Sequence, residues 1–279
     1  MKTSNQLKAL IHNLAKEKSV QAEVILRNYM LERLLERIAL SEYRDKFILK
    51  GGMLVAAMVG IDARSTMDMD ATMKGVAFSE KSLEKAFNAI LAIPVDDSVT
   101  MSIKGFEPIR DEAEYPGIRV SIEAVLDKTK QTMKVDITFG DMITPKAVEY
   151  SFNLLLEDRT ISIMAYTLET VLAEKLETIM SRGTANSRMR DYYDVYVLTT
   201  LREPDINWPL FASAFKRTAT KRDTYYALLK SGPENLKAIE SSEFLPSLWA
   251  RYQGKYNYTS DLSWEQVVAS VRALYYKAF

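Results

Sequence analysis

Arg64-Ser65-Thr66-Met67-Asp68-Met69-Asp70-Ala71-Thr72-Met73 alternates polar and apolar residues, the pattern of an extended strand with one buried face. Successive side chains of a strand point to opposite sides, so Asp68 and Asp70 are expected to project together while Met67, Met69 and Ala71 turn away. Thr66 joins the polar side by the same parity. Two carboxylates on one face repel unless a cation or a proton lies between them, and near neutral pH a hard divalent ion is the usual remedy. An isolated Asp-x-Asp is more often a solvated surface feature. A second alternating stretch, Lys134-Val135-Asp136-Ile137-Thr138-Phe139-Gly140-Asp141, sets Asp136 on the polar side of another strand. If one sheet gathers Asp68, Asp70 and Asp136, their oxygens suit one or two Mg2+ or Mn2+ ions facing a triphosphate.

Upstream, Lys46-Phe47-Ile48-Leu49-Lys50 runs into Gly51-Gly52 and the small apolar run MLVAAMVG, which reads as a strand feeding a helix that starts at the glycines. Glycine lets backbone N–H groups approach an anion, and a helix start favours negative charge, so Gly51 and Gly52 are candidate phosphate contacts. Arg64, Ser65 and Thr66 add a cation and hydroxyls for phosphate oxygens. Residues 5–39 read as two helices, the second with its charged side toward water. Residues 80–92 look helical and 98–108 extended, and GIRVSIEAVLD with QTMKVDITFGD predicts an antiparallel hairpin turning near Lys128. From Thr167, a plausible N-cap, to the stop at Gly183 and beyond, the pattern is nearly all helical. Further helices are expected over 188–201, 208–219, 222–230, 233–241, 245–252 and 263–278. The class is therefore α+β: a mixed or antiparallel sheet flanked by helices over residues 1–160, then a helical domain over 161–279.

Composition removes several chemistries. The chain has no cysteine and His12 is its only histidine, so a thiol nucleophile, a disulfide framework, a thiolate zinc site and a Ser-His-Asp triad are excluded. His12 lies outside every motif and reads as structural or exposed. Lys plus Arg and Asp plus Glu each number 37, which argues against coating nucleic acid by overall charge. A local patch stays open at Lys216, Arg217, Lys221, Arg222 and Lys230, offset only by Asp223, as does its reading as a solvated helix face. No segment approaches the roughly 20 apolar residues of a membrane span, and the first residues do not form a secretion signal. A cytoplasmic protein with no membrane partner is expected.

Lys175 lies mid-helix in AEKLETIMSRG, either as a surface lysine or as one reaching a triphosphate. Asp191 and Asp194 stand at i and i+3 on one helix face, either as partners of Arg188 or Arg190 or as functional acids.

The ordered set KGGMLV, RSTMDMD, KVDITFGD, LAEKLETIMSRG and RMRDYYD resembles the AbiEii/AbiGii toxin nucleotidyltransferases of the polymerase-beta-like nucleotidyltransferase superfamily. The resemblance spans roughly residues 20–200, and five motifs in order are far more specific than any one. It implies a nucleotidyltransferase-like sheet and an effector of a bacterial toxin–antitoxin or abortive-infection system that moves a nucleotide from a nucleoside triphosphate, in relatives to tRNA. By resemblance Gly51, Gly52 and Thr66 line the phosphate cradle, Asp68 and Asp70 bind metal, and Asp136 is the third carboxylate and candidate base. Lys175 contacts nucleotide phosphates, and Asp194, with Asp191, supplies the acid of the last motif. Met53 departs from the serine or threonine common after the glycines, and the spacer from Gly52 to Asp68 is long. The implied partners are an RNA acceptor and a cognate antitoxin, and the helical domain is expected to complete the nucleotide site and bind the acceptor. Transfer to a small-molecule or protein hydroxyl is the second enzyme reading, and a non-catalytic binding module of the same fold is the rival from another class.

Overall fold

The structure, a computed structural model, describes residues 4–109 and 116–279. Its contacts divide the chain into two compact units, Met1–Asp141 with Ala147–Ala165, and Met142–Lys146 with Tyr166–Phe279.

The first unit runs α1 (Ser4–Glu17), α2 (Ala22–Leu40), β1 (Phe47–Lys50), α3 (Gly51–Val59), β2 (Met69–Met73), α4 (Glu80–Leu91), β3 (Val99–Pro108), β4 (Gly117–Leu126), β5 (Thr129–Thr138), β6 (Val148–Asn153) and β7 (Thr160–Ala165). One sheet takes all seven strands in the order β3-β4-β5-β2-β1-β7-β6. It is mixed: β2 lies parallel to β5 and β1 parallel to β7, while the remaining neighbours are antiparallel. Its apolar face is the expected alternation made solid, with Val120, Ile122, Ala124, Met133, Val135, Ile137, Met69 and Ala71 all fully buried. The β4–β5 hairpin turns at Asp127, in the left-handed region with φ 55°, a conformation that a short polar side chain tolerates.

One expectation needs correction in this unit. The charged side of α2 does not face water: Glu32, Arg33, Glu36 and Arg37 are buried with Leu31, Leu34 and Leu35. Ion pairs make this possible for Arg33, Glu36 and Arg37, and the Leu155 N–H serves Glu32. Arg37 Nη2 lies 3.1 Å from Asp97 Oδ1, Arg33 bridges Glu36 and Glu157 at 2.9 Å each, and Arg159 Nη1 meets Glu36 at 2.5 Å. Strands β6 and β7 add to what the sequence reading named: β6 leaves most of its side chains exposed and so has little alternation to read, while β7 buries the alternate residues Ile161, Ile163 and Ala165.

The second unit contains α5 (Leu168–Arg182), α6 (Met189–Leu201), α7 (Trp208–Lys221), α8 (Tyr225–Glu240), α9 (Leu245–Gln253) and α10 (Trp264–Ala278). Thr167 caps α5 by accepting the Thr170 N–H at 3.1 Å, and Gly183 ends it with φ 54°. The core joins Leu172, Leu176, Ile179, Phe211, Phe215 and Val271, each fully buried. Removing one such side chain from water contributes about 1.5–3 kcal/mol. The two helices expected over 222–230 and 233–241 are one: α8 passes through Pro233. Burial of Leu228, Leu236 and Ile239 along this helix outweighs the roughly 3 kcal/mol cost of an interior proline. No described helix is long and apolar enough to cross a membrane.

Candidate active site

The strand register builds the site. Lys50 on β1 pairs with Asp70 on β2, Asp70 pairs with Asp136 on β5, Asp136 with Arg119 on β4, and Arg119 with Glu107 on β3. Five strands thus carry one row of charges in the order minus, plus, minus, minus, plus. Asp70 and Asp136 are direct neighbours at its centre. Arg119 grips Asp136 with both ends of its fork, Nε to Oδ1 at 2.7 Å and Nη2 to Oδ2 at 2.8 Å. This hydrogen bonding raises the Arg119 pKa above its ordinary value, opposed by burial and aided by the charges of Asp136, Glu107 and Asp68. Asp68 precedes β2 rather than lying in it, so the parity argument for Thr66 and Asp68 does not apply before Met69.

The two glycines are explained by what lies against them. Gly51 has φ +64°, and a Cβ there would overlap the Asp70 carboxylate. A Cβ on Gly52 would come within 2.9 Å of Thr66 Oγ1 and 3.1 Å of Arg64 Nη2. The Gly52 N–H donates to Asp70 Oδ2 at 3.4 Å. Helix α3 therefore begins directly on the central carboxylate, with no loop after β1. Arg64 is 1% exposed and donates to the Ser65 carbonyl at 2.5 Å, while Thr66 donates to the Asp68 carbonyl at 3.2 Å. Asn28 from α2 fixes this segment by donating to the Thr66 carbonyl at 2.9 Å. Met53, at the position where a hydroxyl was expected, is 1% exposed and belongs to the core.

Beside the row, Asp141 is buried and receives Lys50, Thr72 and Thr138 on one carboxylate oxygen, with Thr138 at 2.7 Å. Thr72 and Thr138 sit two residues beyond Asp70 and Asp136 on the same strands, their hydroxyl oxygens 3.2 Å apart. Lys50, Arg119 and Asp141 escaped the sequence reading. A signal for Arg119 existed: seven residues before Leu126 and seven after Thr129, the pair flanking the hairpin turn, lie Arg119 and Asp136.

In the second unit Lys175 reaches both acids of the last motif, Asp191 Oδ1 at 2.5 Å and Asp194 Oδ2 at 3.0 Å. The Lys175 side chain is 17% exposed and that of Asp194 is fully buried. Neither a surface lysine nor acids serving only the neighbouring arginines describes this group. Of the basic cluster near the end of α7, Arg222 turns inward to Glu174 and Glu177, so it is not part of a continuous basic surface.

Carboxylate oxygens at Asp68, Asp70 and Asp136 suit a hard divalent ion by chemistry. Among the described residues, however, no three acidic, histidine or cysteine side chains are gathered as a ready metal cage. Both oxygens of Asp136 accept from Arg119.

A mixed sheet with paired central carboxylates beside a two-glycine helix start defines a candidate nucleotide-handling α+β protein. The family model described as "Nucleotidyl transferase AbiEii toxin, Type IV TA system" matches residues 33–270, and the chain belongs to that family. It is thus a member of a nucleotidyltransferase family of toxin–antitoxin systems. Among solved structures it is similar to a candidate nucleotidyltransferase from H. pylori, 14% identical, covering 93% of this chain and 97% of that one, with TM-score 0.49. It is also similar to JHP933 from Helicobacter pylori, 14% identical over 92% and 94%, with TM-score 0.48. An antigenic nucleotidyltransferase-like protein from Paracoccidioides brasiliensis is 14% identical over 75% and 91%, with TM-score 0.39. No curated protein matches the chain. The family assignment rests on the sequence match alone.

Proposed function

We infer that the chain transfers a nucleoside monophosphate from a nucleoside triphosphate to a hydroxyl of tRNA or another RNA. The acceptor oxygen bonds to the α-phosphorus, the bond to the bridging oxygen breaks, pyrophosphate leaves, and the acceptor proton passes to Asp136. The observation that carries this reading is the register that sets Asp70 beside Asp136 with the Gly51–Gly52 helix start packed on Asp70. Asp68 and Asp70 are assigned to hold Mg2+ or Mn2+, and a bound ion supplies positive charge against the triphosphate. Arg119 has two roles in sequence. It neutralises Asp136 in the unliganded row, then transfers its fork to phosphate oxygens, freeing Asp136 as base and as third oxygen donor. Gly51, Gly52, Arg64, Ser65 and Thr66 form the phosphate side. Within the second unit Asp191 and Asp194 fix the Lys175 ammonium, and the phosphate contact of Lys175 is assigned by family resemblance alone. A cognate antitoxin and a cytoplasmic site of action follow from the same reading.

The test is incubation with labelled triphosphates and total RNA, followed by separation of RNA, protein and small molecules. Label is expected in RNA, and Asp70→Asn is expected to cut incorporation by about a hundredfold or more while the thermal melt stays cooperative. Label found only in protein or in a small molecule moves the acceptor to another class; equal incorporation by Asp70→Asn removes the enzymatic reading. The Arg119 clamp favours one rival, a non-catalytic module whose carboxylate pair is kept by arginine alone. No nucleotide incorporation from any triphosphate would support it.

A further inference from the structure

A cavity of about 520 Å³ opens in the second unit between the start of α6 and the end of α9 with the turn after it. Its walls carry Arg188 and Arg190 from the α6 start, and Arg251, Tyr252, Lys255 and Tyr256 from the other side. Four cations thus face a single acid, Asp191, which is itself held by Lys175 at 2.5 Å. The exposed cations Arg251 and Lys255 favour an anionic ligand.

The cavity's aromatic lining belongs to a larger group. The rings of Tyr252 and Tyr256 are 4.7 Å apart, Tyr256 stacks on Tyr258 at 5.3 Å with planes 27° apart, and Tyr258 meets Tyr193 at 4.9 Å. Arg190 donates to Tyr256 Oη at 2.6 Å, which orients that ring at the cavity wall. Cations beside aromatic faces match a ligand with a phosphate at one end and a base at the other. The residues come from stretches about sixty positions apart, RMRDYYD and RYQGKY, and neither is strongly basic by itself.

We propose that this cavity binds a nucleotide of single-stranded RNA, the phosphodiester on Arg188, Arg251 and Lys255 and the unstacked base against Tyr252 and Tyr256. A duplex keeps its bases stacked and out of reach of a tyrosine face, so a single strand or a frayed end fits and a continuous duplex does not. The inference rests on RNA as the acceptor class and gives that acceptor a contact surface in the second unit. A free nucleoside triphosphate presents the same phosphate and base, so the test separates the two sources.

Fluorescence anisotropy with a short labelled oligoribonucleotide measures affinity for the wild type and for the double variant Arg251→Ala, Lys255→Ala. Both positions are exposed, so the fold is expected to hold, checked by a thermal melt. The double variant is expected to bind the single strand about tenfold more weakly, with the slope of log affinity against log salt shallower by roughly one. Tyr256→Ala is expected to lose a similar factor without changing that slope, because stacking releases no counterions. An unlabelled duplex should compete poorly. Unchanged RNA affinity in the double variant overturns the proposal while leaving transfer to RNA standing. A loss confined to free triphosphate binding, or no RNA binding by the wild type, overturns it as well. Label passing only to protein or to a small molecule in the incorporation assay defeats the acceptor reading separately, without any variant of this cavity.

Discussion

The Asp136–Arg119 pair of the sheet and the Lys175–Asp191–Asp194 group of the second unit both hold an acid with a cation, at different depths. On the sheet the guanidinium is 33% exposed and the carboxylate 18%. In the helical unit Asp194 is fully buried and Lys175 is 17% exposed. Water near the first pair lowers the cost of separating its charges, whereas separating the second leaves an acid stranded in the core. On the proposed reading the sheet pair exchanges partners, and the helical group stays.

The largest expected effect breaks the fixed group. Lys175→Met removes the cation shared by Asp191 and the fully buried Asp194 and is expected to lower unfolding free energy by about 3 kcal/mol, read by urea denaturation. A loss under 1 kcal/mol would place this group with the exchangeable pair instead. Next, Gly51→Ala forces a side chain into a left-handed residue and onto the Asp70 carboxylate. Its stability should fall by roughly 1–2 kcal/mol, with nucleotide incorporation lost through displacement of Asp70. Retention of full incorporation would mean that Asp70 need not sit against the helix start.

Glu32 sharpens the contrast as a buried acid whose hydrogen-bond donor is an amide, the Leu155 N–H at 3.1 and 3.3 Å from its two oxygens. Burial, only partly opposed by that hydrogen bond, pushes its pKa up to about 8 from 4.5. The folded state then holds a proton that the unfolded chain releases between those values. Its stabilising share is complete below about pH 4.5 and is lost as pH rises through 8. Glu32→Gln is expected to flatten the fall in melting temperature between pH 5 and pH 9; identical pH profiles for the two proteins would assign the slope to other groups. Smallest is the stability effect of Arg119→Ala, no more than about 1 kcal/mol, because its partners lie near solvent.

Much of the sheet was legible because burial on one face writes a two-residue period into the chain, as in Val120, Ile122 and Ala124 opposite Arg119 and Ser121. The glycines were legible as a helix start for the same local reason. Three things were not. The mostly exposed strand β6 has little period to read, the buried charges of α2 look solvated until Asp97, Glu157 and Arg159 arrive from distant segments, and α8 crosses a proline that reads locally as a stop. At the site, alternation set Asp70 and Asp136 on the polar side of their strands, whereas Asp68 lies before β2, outside its reach. It did not reveal that Arg119 would stand opposite Asp136, since that depends on hairpin register rather than on composition.

A manganese titration followed by electron paramagnetic resonance, with a non-hydrolysable triphosphate present, tests the exchangeable carboxylate pair directly. Wild type is expected to bind the ion, Asp70→Asn to bind it about tenfold more weakly, and Arg119→Ala to bind it more tightly because Asp136 is released. Equal affinity in all three proteins, or no binding by the wild type, would contradict the pair as an ion site held in check by arginine.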